Sequence, residues 1–167
     1  MAGYDARSNY DREFRGMMRK VRLVVGLLIL LLLAFRFLVG AAVLRDDGMS
    51  PAYKSGRPVA FLRAGYSARR GDLVCLHLPD GSVGLRRVIA TSGDAVEVRD
   101  GVVFINGYTE RGSYSFTRTD ARPGGPAYPL LLQEGELFVL GDAREGALDS
   151  RLFGPVREEK LLGRLLF

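Results

Sequence analysis

Residues 141–154, which we call the bracing loop, concentrate acidic, basic and glycine residues directly after the apolar run Leu137–Leu140. Asp and Ser side chains hydrogen-bond nearby backbone, and the planar Arg side chain binds a carboxylate or carbonyl groups in a fork. The segment therefore predicts a loop that holds neighbouring strands, although an ordinary polar turn with surface ion pairs would have the same composition. Its candidate residues are Asp142, Arg144, Asp149, Ser150 and Arg151.

Two earlier segments carry the other candidate residues. The first, residues 48–51, reads GMSP and follows a long apolar run, and the second, residues 86–89, reads RRVI. Each of these segments alone is a weak signal of a functional site. Their candidate residues are Gly48, Met49, Ser50, Pro51, Arg86, Arg87, Val88 and Ile89.

Short apolar runs bounded by glycine and turn residues predict the elements that position these side chains. Asp-Gly and Asn-Gly pairs predict tight hairpins, because glycine supplies the positive φ that such turns require. We predict strands at Val59–Arg63, Asp72–Leu78, Val83–Thr91, Ala95–Arg99, Val102–Asn106, Glu136–Leu140 and Leu161–Phe167. The predicted fold is mainly β, a small antiparallel barrel or pair of sheets, and residues 108–135 are predicted to form a long surface excursion.

Composition excludes several classes of function. The chain has 167 residues, enough for one domain with a core and a short appendage. Its net charge of +5 comes mainly from scattered arginines without interleaved aromatics, which argues against nucleic-acid binding. The single cysteine, Cys75, excludes an internal disulfide and a cysteine-ligated metal site, and its apolar neighbours predict a core thiol. We expect neither a metal nor a cofactor.

Residues 23–44 form a long apolar run (LVVGLLILLLLAFRFLVGAAVL). As a helix it would be about 33 Å long, enough to cross a bilayer core. Basic residues outnumber acidic ones before the run, so the positive-inside rule places residues 1–22 in the cytoplasm and the β domain, residues 45–167, outside the cell membrane. A cleavable signal peptide ending near residues 39–41 is the alternative, but the run is longer than the usual apolar region of such peptides.

Residues 69–75 (RRGDLVC) lie between the first two segments. In this order, the four segments resemble the motifs of bacterial type I signal peptidases with one N-terminal membrane span. The most specific element is Asp149-Ser150-Arg151 with Gly141-Asp142 before it. Next comes Arg87-Val88-Ile89 with Gly93-Asp94, and then Met49-x-Pro51. The resemblance covers nearly the whole chain from Leu23 on. It implies an extracytoplasmic β fold on the membrane surface, with a groove that accepts extended segments as an added strand.

The resemblance also implies a serine nucleophile and a lysine base, and this chain departs from that pattern. Gly48 stands at the position of the nucleophile and Arg86 at the position of the base. Glycine has no attacking atom, and a guanidinium stays protonated and cannot accept a proton. Ala143 and Ala147 stand where the family typically carries Asn and Ser.

Ser50 is the substitute nucleophile in a displaced site, but a base for it is harder to find. Lys54 lies four residues away on the same segment, and Lys160 lies near the C-terminus. His77, the one histidine, lies on a predicted strand outside the motifs, where a solvent-facing strand residue is the plainer interpretation.

Three hypotheses follow. In the first, the chain has lost proteolysis and binds exported preproteins or pilin-like surface proteins at the membrane lipid surface, like the non-catalytic signal peptidase-like factors of pilus assembly. Arg86 then binds a client carbonyl or carboxylate, or else forms a salt bridge to Asp142 or Asp149. In the second, an active signal peptidase uses Ser50. In the third, the chain is an unrelated exported β domain. We expect Asp149 and Arg151 to form an ion pair, and Met49 to reach the groove floor, the lipid surface or the core.

Overall fold

The fold is mainly β and follows a long N-terminal helix. The computed structural model describes residues 6–110 and 117–166. It divides into two compact units, Met1–Leu38 and Val39–Phe167. Every candidate site residue lies in the second unit.

Helix α1 spans Ala6–Leu38. Its segment Arg12–Leu38 is long and apolar enough to cross a membrane, with a mean hydropathy of 2.5 in an 18-residue window, and none of that window is buried within the chain. A helix that is apolar on all sides needs cover from protein or lipid, so this one fits a single membrane span.

The second unit contains eleven strands and two short helices within the described residues. The strands are β1 (Val39–Val43), β2 (Pro58–Leu62), β3 (Leu73–His77), β4 (Val83–Ala90), β5 (Ala95–Arg99), β6 (Val102–Ile105), β7 (Tyr108–Thr109), β8 (Leu130–Leu131), β9 (Glu136–Leu140), β10 (Val156–Arg157) and β11 (Leu161–Leu165). Helix α2 spans Ser150–Phe153, and a 3-10 helix spans Glu158–Lys160.

The strands form two antiparallel sheets. The larger sheet has the order β1-β2-β11-β3-β4-β9-β10, and the smaller one has the order β7-β6-β5-β8. Side chains from β4 and β9 pack with those of β5 and β6 in one core cluster. A second cluster, here called the site cluster, comprises Leu44, Met49, Val59, Phe61, Cys75 and Leu85. In the larger sheet, β4 lies between β3 and β9, so the candidate residues that it carries lie in the interior of that sheet.

The structure corrects the predicted end of the apolar helix. The helix ends at Leu38, whereas the prediction extended it to Leu44, because β1 pairs antiparallel with β2. Gly40 makes this pairing close, since a Cβ there would lie 2.6 Å from the Phe61 Cζ atom. An apolar composition alone could not distinguish the last helical turns from a strand.

The predicted strands between Val59 and Asn106, and the one at Glu136–Leu140, are present with bounds that differ by at most one residue. The last strand ends at Leu165, and Phe167 lies outside the described residues. The predicted excursion contains β7 and β8, two-residue strands too short for a periodic signal. Residues 111–116 of that excursion lie outside the described part of the chain.

Candidate functional site at Gly48 and Arg86

The segment that carries Gly48 is fixed by buried side chains on both sides. Leu44 and Met49 are each 1% exposed and belong to the site cluster. The Gly48 carbonyl accepts a hydrogen bond from the Ala143 amide at 3.0 Å. The Asp142 amide donates to the Met49 Sδ atom at 3.3 Å. The segment is thus held between the domain core and the bracing loop.

Arg86 lies in the first half of β4, and its side chain is completely buried. Its Nε atom donates to the Leu148 carbonyl at 2.8 Å, and its Nη1 atom donates to the Leu85 carbonyl at 2.6 Å. Its Nη2 atom lies 2.6 Å from the Asp46 Oδ2 atom, an ion pair without hydrogen-bond geometry. These partners compensate a charge that would be costly to bury alone.

The structure brings Gly48 and Arg86 side by side. A Cβ built on Gly48 would lie 2.7 Å from the Arg86 Nη1 atom and 2.8 Å from its Cζ atom. The same Cβ would lie 2.6 Å from the Asp46 Oδ2 atom. Such distances are far inside van der Waals contact, so any side chain at position 48 requires the two charged groups to move. The guanidinium occupies the space next to the missing side chain.

Asp46 is a site residue that sequence reasoning missed. Its Oδ2 atom accepts a hydrogen bond from the Gly48 amide at 3.0 Å in addition to its ion pair with Arg86. Its side chain is 20% exposed. The signal in the sequence was weak, because the only hint was an acidic residue two positions before Gly48.

The partner of Arg86 differs from the two carboxylates that we expected. Asp142 binds Arg87 through two hydrogen bonds, from Nε at 3.0 Å and from Nη2 at 2.6 Å. Arg87 also donates to the Gly71 carbonyl at 3.0 Å. The Asp149 carboxylate forms an ion pair with Arg151. The alternative interpretation of Arg86, a salt bridge to Asp142 or Asp149, is therefore wrong, since Arg86 pairs with Asp46 and both of those carboxylates bind another arginine.

Asp149 organises the bracing loop around its carboxylate. It is the N-cap of α2, where it accepts a hydrogen bond from the Arg151 amide at 3.1 Å. Its two oxygens also accept hydrogen bonds from the Arg151 Nε and Nη2 atoms, at 2.9 and 2.8 Å, and from the Gly141 amide at 3.2 Å. The Ser150 hydroxyl accepts a hydrogen bond from the Val139 amide in β9 at 3.0 Å. These buried contacts fasten the loop to the sheet.

Arg144 connects the bracing loop to the excursion. Its side chain is 2% exposed and forms an ion pair with Glu110 at 3.3 Å. Its Nη1 atom also donates to the Thr119 hydroxyl at 2.9 Å. From the excursion, the Arg122 guanidinium donates to the carbonyls of Arg144 and Glu145. The sequence left the contacts of the excursion open, and the structure shows that it packs against the bracing loop.

Tyr128 of the excursion lies beside the same buried charges. Its ring packs edge-on against Phe138, with ring centroids 6.4 Å apart. Burial, together with the nearby Asp149 carboxylate, raises the pKa of Tyr128 to about 12. Its hydroxyl therefore stays protonated to a higher pH than that of an ordinary tyrosine.

Several candidate residues serve the core rather than an open groove. Val88 is fully buried and Ile89 is 5% exposed, and each belongs to a core cluster. Met49 also packs in the core. Of the three surroundings that we considered for its side chain, the groove floor, the lipid surface and the core, the structure shows the core. Pro51 is exposed. Cys75 is fully buried, and burial raises the pKa of its thiol to about 12.

Ser50 and its candidate bases lie in different surroundings. Ser50 is half-buried, and its amide donates to the Asp47 carbonyl at 2.9 Å. Lys54, Lys160 and His77 are all exposed. A lysine must be desolvated to lose its proton near neutral pH, so an exposed one is a poor general base.

Comparison with known proteins places the chain in a family. The family model described as signal peptidase, peptidase S26, matches residues 17–167. Signal peptidase IB of Staphylococcus aureus (strain COL) is 27% identical over 157 residues, which cover 83% of this chain and 82% of that protein. The "Probable signal peptidase I-1" of Synechocystis sp. is 28% identical over 160 residues, which cover 87% and 78%.

A solved signal peptidase I from Enterococcus faecalis V583 covers 62% of this chain and 100% of that chain, with 27% identity and a TM-score of 0.46. The family match is the broader finding, because it extends from within α1 to the end of the chain. This chain therefore belongs to the signal peptidase family, peptidase S26.

Proposed function

We propose that this chain is a membrane-anchored signal peptidase homologue without peptidase activity, which binds extended segments of exported proteins. The observation that carries the proposal is the contact between Gly48 and Arg86. Position 48 offers no attacking atom, and the buried guanidinium fills the space beside it, 2.7 Å from where a Cβ would stand.

The chemistry of the two residues supports the loss of catalysis. A serine hydroxyl attacks a peptide bond only when a nearby base takes its proton. Arg86 donates hydrogen bonds to the carbonyls of Leu85 and Leu148, and a guanidinium keeps its proton throughout the accessible pH range. The pair therefore lacks both the nucleophile and the proton acceptor.

An active peptidase that uses Ser50 is the second candidate. In its favour, Ser50 is half-buried and lies two residues from Gly48. Against it, the lysines and the histidine that would serve as its base are exposed to water. We therefore favour the inactive homologue.

The charges before the apolar part of α1 support an orientation with the N-terminus in the cytoplasm. The residues before the apolar part of α1 are rich in arginine, which favours a cytoplasmic N-terminus. The β domain then lies outside the cytoplasm, at the membrane surface where exported proteins emerge.

The edge of the larger sheet supports client binding by strand addition. β1 is the first strand in the sheet order, so one side of it is not paired with a described strand, and it leads directly into the Gly48 segment. Ala41 and Val43 are exposed on it. Extended peptides bind such edges through main-chain hydrogen bonds. β4 offers no such edge to a client, because it lies between β3 and β9 in the interior of the sheet.

A cleavage assay tests the loss of activity. The detergent-solubilised chain is incubated with a preprotein, with Staphylococcus aureus signal peptidase IB as the positive control. We expect no processing by the wild-type chain. Processing that disappears in the Ser50→Ala variant would instead establish the second candidate.

A gain-of-function variant tests whether the site and not the scaffold lost activity. Gly48→Ser with Arg86→Lys restores both residue types, and we expect slow cleavage of the preprotein. Because a side chain at position 48 also meets Asp46, the variant is measured with and without Asp46→Ser. If these variants fold but stay inert, Ala143 and Ala147 are the next positions to change.

Photo-crosslinking tests the proposed client edge. A crosslinking residue at Val43, which is 53% exposed on β1, should capture an exported preprotein or a pilin-like surface protein. The matched control is Val102, which is 40% exposed on β6 of the smaller sheet. Equal capture at the two positions would argue against strand addition at β1. Competition between the preprotein and the pilin-like protein for crosslinking at Val43 shows which of them binds more tightly.

A further inference from the structure

We propose that Gly48 and Arg86 form a carboxylate-binding site, that Asp46 occupies it in the resting chain, and that a carboxylate of an exported polypeptide takes the place of Asp46. The inference deepens the proposed function and rests on it for the nature of the client. It converts a lost catalytic site into a recognition site with a defined chemistry.

The first support is the convergence of donors on one carboxylate oxygen. The Asp46 Oδ2 atom lies 3.0 Å from the Gly48 amide nitrogen and 2.6 Å from the Arg86 Nη2 atom. A backbone N–H and a guanidinium are the donors that bind carboxylates strongly in proteins. The Arg86 Nη2 atom has no hydrogen bond to a described residue, so it retains capacity for a better-aligned oxygen.

The second support is that the cationic group is fixed independently of Asp46. The Leu148 carbonyl holds the Nε atom of Arg86 at 2.8 Å, and the Leu85 carbonyl holds its Nη1 atom at 2.6 Å. A carboxylate that leaves the site therefore leaves the guanidinium in place. A preorganised cation of this kind binds an incoming anion without a further cost of ordering.

The third support is the space that two glycines leave around the carboxylate. A Cβ at Gly48 would lie 2.6 Å from the Asp46 Oδ2 atom, and a Cβ at Gly84 would lie 3.1 Å from the Oδ1 atom. A side chain at position 48 would crowd Oδ2, and one at position 84 would crowd Oδ1 as well as the Leu78 side chain. The absence of side chains at both positions thus shapes a cradle for a carboxylate group.

The fourth support is that the carboxylate, and not the arginine, reaches solvent. The Asp46 side chain is 20% exposed, whereas the Arg86 side chain is 0% exposed. Asp46 lies between β1 and β2, outside any helix or strand. An external carboxylate therefore gains access when Asp46 turns outward. Because Asp46 competes from the same chain, it lowers the apparent affinity by the fraction of time for which it occupies the site.

The first experiment replaces the internal ligand with a free one. In the detergent-solubilised Asp46→Ala variant, we expect the Tm to fall by roughly 5–10 °C, because Arg86 loses its partner. Sodium acetate, compared with sodium chloride at equal ionic strength, should raise it again. At ten times the acetate dissociation constant, the rise should be about 4 °C.

Two controls make this result specific. Wild type should show no difference between acetate and chloride, because its site is already full. Asp46→Asn should also show none, because its amide fills the same space. Acetate that stabilises all three proteins equally, or none of them, would overturn the proposal.

The second experiment uses peptides and distinguishes two sources of the carboxylate. A fluorescent, alanine-rich peptide is compared as the free acid and as the C-terminal amide, and an amidated version is compared with Glu or Gln at an internal position. For the Asp46→Ala variant, we expect either the free acid or the Glu peptide to bind at least about tenfold tighter than its neutral counterpart. The same peptide should bind less tightly to wild type, because Asp46 competes for the site. Equal affinities within both pairs would overturn the client half of the proposal.

The outcomes remain separable from the proposed function. If Asp46→Ala does not fold in either salt, the comparison of acid and amide peptides on the wild-type chain decides the matter, and equal binding there contradicts the proposal. Processing of a preprotein by wild type would overturn the proposed function, whereas the acetate effect tests the site without any peptidase readout.

Discussion

Two arginine–aspartate pairs, Arg151 with Asp149 and Arg86 with Asp46, differ in how their carboxylates are used. In the bracing loop, Asp149 is 0% exposed and both of its oxygens accept hydrogen bonds from Arg151 or from backbone amides. At the site, Asp46 is 20% exposed, and the contacts to Gly48 and Arg86 converge on a single oxygen.

The difference separates a structural pair from an exchangeable one. Removing a fully bonded buried carboxylate leaves several donors without a partner, which is costly. Removing a partly exposed carboxylate lets water reach the remaining donors, which costs less stability. We therefore infer that the Asp149 pair holds the bracing loop in place, whereas the Asp46 pair fills the space between Gly48 and Arg86 and can be exchanged.

Asp149→Ala is expected to have the largest effect. It leaves the buried Arg151 guanidinium unpaired, and we expect the free energy of unfolding to fall by about 3–5 kcal/mol. Chemical denaturation of the solubilised chain measures this change. The control is Asp120→Ala, which removes a solvent-exposed pair with Arg118 and should change the free energy of unfolding far less. Similar costs for the two variants would refute the structural role of Asp149.

Gly48→Ala should be the next largest. The added methyl group collides with Arg86 and Asp46, and we expect a loss of about 1–3 kcal/mol. Gly146→Ala in the bracing loop is the matched control, because a Cβ there meets nothing within 4 Å. In an Arg86→Lys background the cost should fall, with a coupling energy of at least about 0.5 kcal/mol. Strict additivity would mean that the two positions do not share space.

Glu110→Gln should have a smaller effect. It weakens the ion pair with Arg144, but the Thr119 hydroxyl still accepts a hydrogen bond from that arginine. We expect a loss of about 1 kcal/mol and faster limited proteolysis within residues 117–125. Unchanged proteolysis would show that this pair does not hold the excursion against the bracing loop.

The pH dependence of Asp94 is expected to be the smallest effect. Burial alone would raise the pKa of Asp94, but hydrogen bonds from Arg70, Thr91 and Asn106 outweigh it and lower the pKa below its ordinary value. Between the lowered folded pKa and the ordinary one, the unfolded chain binds more protons. The stabilisation is therefore complete above about pH 4 and is lost as the pH falls through the folded value.

Denaturation at a series of pH values, for wild type and for Asp94→Asn, measures this contribution. The difference in stability between the two proteins should shrink as the pH falls below about 4. A difference that does not depend on pH would show that the Asp94 contacts act through shape and not through charge.

Much of the β domain was predictable because its signals are local. Tight turns at Asp100-Gly101 and Asn106-Gly107 require positive φ, and both pairs adopt it in the structure. Alternating burial along β5 and β6 follows the period of two in the sequence. By contrast, β1 was hidden in an apolar run, since nothing in the composition of residues 39–43 distinguishes a strand from the end of a membrane helix.

The sequence by itself determined the chemical capacity of the site, because the lack of a side chain at Gly48 and the permanent charge of Arg86 are properties of the residues. Only the tertiary structure decided that these two residues touch, and that Asp46 is the partner of the arginine. Residues 46 and 86 are 40 positions apart. Which of several carboxylates meets an arginine over such a separation depends on the path of the folded chain, and no local pattern encodes it.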